Sequence, residues 1–294
     1  MKNFIFAITF TFLVLQSSSA LATMKFIYHP PESNLDTRYN FHWEVLRAIL
    51  DATAKKHGPY EMNPSVFMTE DRQLSEIQRN KPHLTVMIRE TNRNIEKSLL
   101  PVRIPIDRNL IGYRVFLIKK NKQKDFDRMS SLGDLRKVTL GQGKGWGDIP
   151  ILENAGFKVL TEIYYDDLFK SLNKEKYQAF PRGITEVHDE IETFKKIYPQ
   201  LTVEKKFLLY YPLPTYFWFP NSEEGRLMAL RVEEGFKTII KNGTYQNLFD
   251  KYYSSRIMEL NLKKRQIITI ENPQLPETVP FKDKELWYEP VGDR

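Results

Sequence analysis

The segment Gly141-Gln142-Gly143-Lys144-Gly145-Trp146-Gly147 alternates glycine with other residues, between a β-like run (Val138 to Leu140) and the helix-start signature Asp148-Ile149-Pro150. Glycines at such a turn leave backbone N–H groups free to face an anion, which makes Gly143 and Gly145 candidate ligand contacts. Trp146 can stack on a ligand or latch a cleft. The spacing is neither a phosphate-binding Walker loop nor the three-glycine dinucleotide fingerprint, which needs glycine in place of Trp146 or Asp148. Without a ligand the same run reads as a flexible strand-to-helix turn. Arg182 and Glu186 lie where a β-like run (Lys176 to Phe180) leads into a helical pattern (Thr185 to Lys196), the strand end at which α/β sheets place ligands. At i, i+4 they also read as an ordinary helix-surface ion pair. Glu32, Asp36 and Arg38 stand on the loop after the first strand. Tyr211 and Tyr216 can stack on a ligand or pack a hinge. The five histidines show no metal-ligand spacing and no Gly-x-Ser-x-Gly elbow occurs, so the sequence nominates no metal, cofactor or catalytic residue.

Composition narrows the classes further. The 294 residues carry 44 basic and 37 acidic side chains, a formal net charge of +7, but the bases are interleaved with acids, as in Lys282-Asp283-Lys284-Glu285. That pattern argues against nucleic-acid binding and leaves anionic small molecules open. With no cysteine in the chain, disulfides, thiolate metal sites, Cys nucleophiles and a lipidated N-terminal Cys are excluded. Lys2, the apolar run Phe4 to Leu15 and the small residues up to Ala22 predict an export signal over 1–22, cleaved after Ala22 to leave Thr23 first, because the run is too short to span a bilayer. The expected location is the periplasm.

Apolar β-like runs at Lys25 to Tyr28, Leu84 to Ile88, Val138 to Leu140, Lys158 to Ile163, Lys176 to Phe180 and Phe207 to Tyr210 alternate with helical patterns. This predicts α/β architecture with parallel sheets and crossover helices. The pattern over Tyr39 to Lys56 predicts a helix stopped by Gly58-Pro59, and that from Glu223 predicts a long one ending at Asn242-Gly243. Two stretches, Gly112 to Ile118 and Tyr211 to Pro214, read as crossings between lobes. They predict a discontinuous first lobe (23–112 and 213–260), a second lobe over 113–212, and a tail over 261–294 that is an extended strap or partly disordered.

The order of several short stretches resembles the family 3 extracytoplasmic solute-binding proteins, receptors of polar amino-acid importers. The matching stretches are Ile27-Tyr28-His29-Pro30-Pro31-Glu32, Thr91-Asn92-Arg93, Ser131-Leu132-Gly133-Asp134-Leu135 and Phe236-Lys237-Thr238-Ile239-Ile240-Lys241-Asn242-Gly243-Thr244-Tyr245. The resemblance implies a two-lobed periplasmic binding protein fold of type II, each lobe a mixed sheet flanked by helices, joined by two hinge crossings and closing over a ligand. It implies a monomer that captures a small polar, carboxylate-bearing solute and delivers it to the permease of an ABC-type importer. The same fold admits a ligand-sensing subunit for a membrane signalling receptor, or a periplasmic lyase or dehydratase. Family members use a first-lobe Arg for the ligand's α-carboxylate, a role that Arg93 fits by position, and a second-lobe acid for its α-amine. Where that acid is expected the chain reads Tyr177-Gln178-Ala179-Phe180-Pro181-Arg182-Gly183.

Overall fold

The computed structural model describes residues 22–290, so the export segment expected over 1–22 lies outside the described residues except for Ala22. The first helix, Asn40–His57, forms on a sequence that puts Phe41, Val45, Leu46, Ile49, Leu50 and Thr53 on one buried face. Gly58 ends it at φ +81° and ψ −176°, a backbone conformation that favours glycine, while its N–H returns to the Ala54 carbonyl. That face packs on the helix Glu223–Lys241, which opens with the Ser222 side chain accepting from the Gly225 N–H and buries Met228, Val232, Gly235, Phe236 and Ile239. Between the two helices lies Arg231, fully buried, donating to Thr53 Oγ1 at 3.0 Å and to the carbonyls of Gly58 and Leu50.

The strands, in chain order, are β1 (Met24–Tyr28), β2 (Tyr60–Pro64), β3 (Met87–Glu90), β4 (Leu99–Val102), β5 (Tyr113–Lys119), β6 (Thr139–Gly143), β7 (Lys158–Glu162), β8 (Phe180–Gly183), β9 (Leu201–Val203), β10 (Phe207–Tyr210), β11 (Thr215–Pro220) and β12 (Gln266–Thr269). One lobe is built on β1 paired parallel with β2, and on β11 between antiparallel β3 and β4. All six residues of β11 are buried, as expected of a central strand covered on both faces. In the other lobe β5 is central and antiparallel to β8, β9 and β10, while β6 and β7 pair in parallel. The sheets are therefore mixed, not uniformly parallel. Strand pairing passes from one lobe to the other between Val102 and Tyr113 and back between Tyr210 and Thr215.

The C-terminal segment is an ordered strap. β12 adds to β10 in parallel, and the Ile270 N–H reaches the Tyr210 carbonyl at 2.9 Å. Asn272 then donates to the Pro212 carbonyl beside the crossing. Beyond it the chain lies on the first lobe, where Thr278 Oγ1 donates to Glu96 at 2.6 Å and Tyr288 packs on Phe249.

The helix contact gives a stability prediction. A Cβ on Gly235 would lie 2.6 Å from the Ile49 carbonyl oxygen, which belongs to backbone and cannot swing away. Gly235→Ala should therefore lower the unfolding free energy by about 1–3 kcal/mol despite its better helix propensity. Urea denaturation of both proteins measures this; an equally stable variant would show that the helices separate without cost.

Candidate functional site

Where the lobes meet, a cavity of ≈50 Å³ is lined by the guanidinium groups of Arg38, Arg89, Arg114 and Arg182, the carboxyl groups of Glu70, Glu90, Asp148 and Glu186, and His42 and Trp146, among others. The first lobe supplies Arg89 and Glu90 from the end of β3, and Arg38 from the loop before the first helix. The second supplies Arg114 from the start of β5, Arg182 from β8 and Glu186 from the turn after it.

Most of these charges neutralise one another. Arg182, 1% exposed, donates to Glu190 at 2.7–2.9 Å and pairs with Glu186 at 3.0 Å. Burial alone would lower its pKa, but Glu186 and Glu190 outweigh burial and hold the guanidinium charged. Arg38 chelates Asp36 at 2.8 and 2.9 Å and reaches Glu32 at 2.8 Å. Asp36 is pulled below the usual carboxylate range, its burial outweighed by Arg38. Arg114 makes longer contacts, 3.3 Å to Glu186 and 3.4 Å to Asp148, and Asp148 also accepts from Gln142 and Tyr211. Arg89 donates to the Gly145 carbonyl across the cleft at 2.7 Å and stands 3.3 Å from Glu70.

Trp146 ties these groups together. Its ring lies between the Arg38 guanidinium, 5.1 Å from a ring centroid, and that of Arg182, 4.7 Å away, so one indole takes a cation from each lobe. The glycine run exists largely to allow this packing. A Cβ on Gly143 would fall 2.2 Å from the Trp146 ring, and one on Gly141 would fall 2.1 Å from the Tyr177 ring. Gly145 takes φ +87°, and its carbonyl receives Arg89. A second cavity of ≈240 Å³ opens toward the cleft mouth, lined by Glu32, Phe67, Glu70, Gly143, Lys144, Trp146 and Tyr165 among others.

Of the residues singled out in the sequence, Trp146, Arg182 and Glu186 line the inner cavity, and Glu32 and Gly143 the outer one. Two lie elsewhere. Arg93 begins the short helix Arg93–Glu96, is exposed, and uses its N–H and guanidinium on the Gln274 and Pro273 carbonyls of the strap. The residue aligned by motif with a carboxylate contact thus holds the C-terminal segment, because β3 ends two residues later than the predicted strand and puts Arg89 and Glu90 at the cleft instead. Tyr216 is buried among Met68, Met87 and Trp218 on the far face of β11, with Thr215 taking the cavity side. Arg89, Glu90, Arg114, Asp148 and Glu190 were not singled out as site residues. Arg114 carried a signal, a charge inside the apolar run Tyr113 to Ile118.

Several buried polar atoms at the inner cavity have no hydrogen-bond partner: Arg89 Nε, Arg114 Nε, His42 Nδ1 and Glu70 Oε2. Burial pushes His42 down to about 4, so the imidazole is neutral at pH 7. Among the described residues no group of three or more potential ligands is arranged to hold a metal ion.

No family model matches the chain, and no curated protein matches it by sequence. Solved structures do match. A Salmonella typhimurium periplasmic binding protein of high arginine specificity superposes with a TM-score of 0.58 at 11% identity, over 79% of this chain and 99% of that one. A histidine kinase sensor domain similar to periplasmic binding proteins gives 0.57 at 13%, over 79% and 96%. An ancestral amino-acid-binding protein, precursor of cyclohexadienyl dehydratase, gives 0.56 at 16%, over 79% and 96%. The chain therefore has the two-lobed fold of periplasmic binding proteins.

Glu70 supplies a test of the site's electrostatics. Burial, reinforced by Glu90 and Glu32 against Arg89 and Arg38, pushes its carboxyl up to about 8. The folded protein then holds a proton that the unfolded chain releases near pH 4.5, so this group's contribution to stability falls as pH rises from about 4.5 to 8. Glu70→Gln removes that dependence. The stability of the wild type relative to Glu70→Gln should decline between pH 5 and 8 in urea denaturation, and a pH-independent difference would contradict the shift.

Proposed function

We propose that the protein is a periplasmic solute-binding protein that holds a small carboxylate-bearing, amino-acid-like solute between its lobes and presents it to a membrane partner. The lobes inferred for this role are residues 23–112 with 213–260, and 113–212; their boundaries follow the strand membership, with the strap returning to the second lobe through β12. The observation that carries the reading is the inner cavity. It is walled by charged groups from both lobes and has guanidinium N–H groups, Arg89 Nε and Arg114 Nε, buried without acceptors. A buried donor without a partner costs about 1–3 kcal/mol, which a ligand carboxylate restores on binding. Proteins that share the fold and bind amino acids support the ligand class, and an ABC-type importer supplies the most economical partner for it. The likeness to a kinase sensor domain supports a second partner, a signalling receptor that reads the same closed form.

A thermal-shift screen over the common amino acids and small dicarboxylates tests the reading. A true ligand at about 100 times its dissociation constant should stabilise the fold by roughly 2.7 kcal/mol, and calorimetry should give one site per chain. The absence of stabilisation by every amino acid and carboxylate would overturn it. Chemical change of the bound solute with turnover would replace it with an enzymatic reading.

A further inference from the structure

Pairing the charges at the inner cavity one by one leaves one carboxyl over, and two guanidinium Nε atoms, of Arg89 and Arg114, without an acceptor. In the second lobe every acid is engaged: Glu186 by Arg182, Arg114 and the Gly183 N–H, Glu190 by Arg182 and the Tyr165 hydroxyl, and Asp148 by Gln142, Tyr211 and Arg114. In the first lobe Arg38 is held by Asp36 and Glu32, and Arg89 by Glu70 and the Gly145 carbonyl. Glu90 remains. Its carboxyl lines the cavity, yet among the described residues no donor or ion-pair partner from another residue is bonded to it. On the opposite wall Arg114, 3% exposed, has its Nε buried and unpartnered, and Arg114 and Glu90 form no ion pair with each other.

We infer that the cleft binds the α-amino and α-carboxylate groups of a zwitterion in reversed polarity: Glu90 of the first lobe takes the ammonium and Arg114 of the second takes the carboxylate. This rests on the amino-acid-like reading above and turns round the arrangement that the sequence resemblance implies, a first-lobe Arg with a second-lobe acid. The reversal follows from what each wall has spent. The second lobe's carboxylates are committed to fixing Arg182 and Arg114, so none is left for a ligand ammonium. Of the first-lobe arginines, Arg93 is committed to the strap, Arg38 to Asp36 and Glu32, and Arg89, whose Nε is also unpartnered, spends its terminal nitrogens on the Glu70 and Gly145 carbonyls. An ammonium at Glu90 would neutralise the one cavity carboxylate without a paired cation, and a carboxylate at Arg114 would occupy a buried donor that now has no acceptor.

The test uses calorimetry on the full mature chain with glycine, L-glutamine and L-arginine, each beside its des-amino carboxylic acid and its decarboxylated amine. With the wild type, the best amino acid should bind at least about 30-fold more tightly than either of its half-ligands. Glu90→Gln, nearly isosteric, should lose about 30-fold or more for the amino acid and stay within about 3-fold of wild type for the des-amino acid. Arg114→Lys should show the complementary pattern, weakened for the carboxylic acid and unchanged for the amine. Should Arg114→Lys fail to fold, the half-ligands on wild type and Glu90→Gln decide the matter. A folded Glu90→Gln with unchanged amino-acid affinity, or a des-amino acid bound as tightly as its parent, overturns the reversed polarity while leaving the solute-binding reading intact. No binding of any amino acid to the wild type removes both.

Discussion

Burying a guanidinium group is expensive unless carboxylates and hydrogen-bond acceptors replace its water, and this cleft gathers four of them, Arg114 and Arg182 fully buried and Arg38 and Arg89 largely so. The rest of the site follows from that constraint. Arg182 needs Glu186 and Glu190, and Arg38 needs Asp36 and Glu32, the last two held by the loop between β1 and the first helix. Strands β3, β5 and β8 end or begin at the cleft, and the helix Val187–Phe194 carries Glu190 back toward β8. The lobes touch through the same groups, since Arg89 of one lobe donates to Gly145 of the other and Ser33 donates to Asp166 at 2.8 Å. Neutralising the arginines and bringing the lobes together are one structural problem, and Trp146 between Arg38 and Arg182 is its centre.

The fold was legible because its elements are strongly patterned. The helix Asn40–His57 lies within one residue of the range its apolar spacing predicts at either end, and the long helix after Ser222 closes at Asn242-Gly243 as its capping signal requires. The apolar runs identified strands but not their directions. A strand covered on both faces, such as β5 or β11, reads as a continuous apolar run whichever way its neighbours run, and the pairing of β5 with β8, β9 and β10 depends on chain routing that no local pattern records.

Legibility of the site was uneven for a related reason. Trp146, Arg182 and Glu186 were visible because unusual residues stood in turns at strand ends. Glu90 and Arg89 were hidden because the apolar run stops at Ile88, whereas β3 continues through two charged residues to Glu90 and so carries both to the cleft. The motif gave Arg93 the position of a ligand contact, whereas its guanidinium fastens the strap. The strap was the least legible element, since Pro273, Pro276 and Pro280 with flanking polar residues read as loop, and only the edge of β10 gives Gln266–Thr269 a strand to join.

The strap also bears on motion. It leaves the second lobe at β12, bonds to Pro212 at the crossing and ends on the first lobe, so it spans the region about which the lobes would turn. A clamp built this way should close on its solute through rotation at the two crossings, with the strap limiting how far it opens. Small-angle scattering of the chain over residues 23–294, with and without a saturating amino acid from the screen, tests that central claim most directly. The account predicts a smaller radius of gyration at unchanged mass when the solute is bound. An unchanged radius at saturating solute would contradict it.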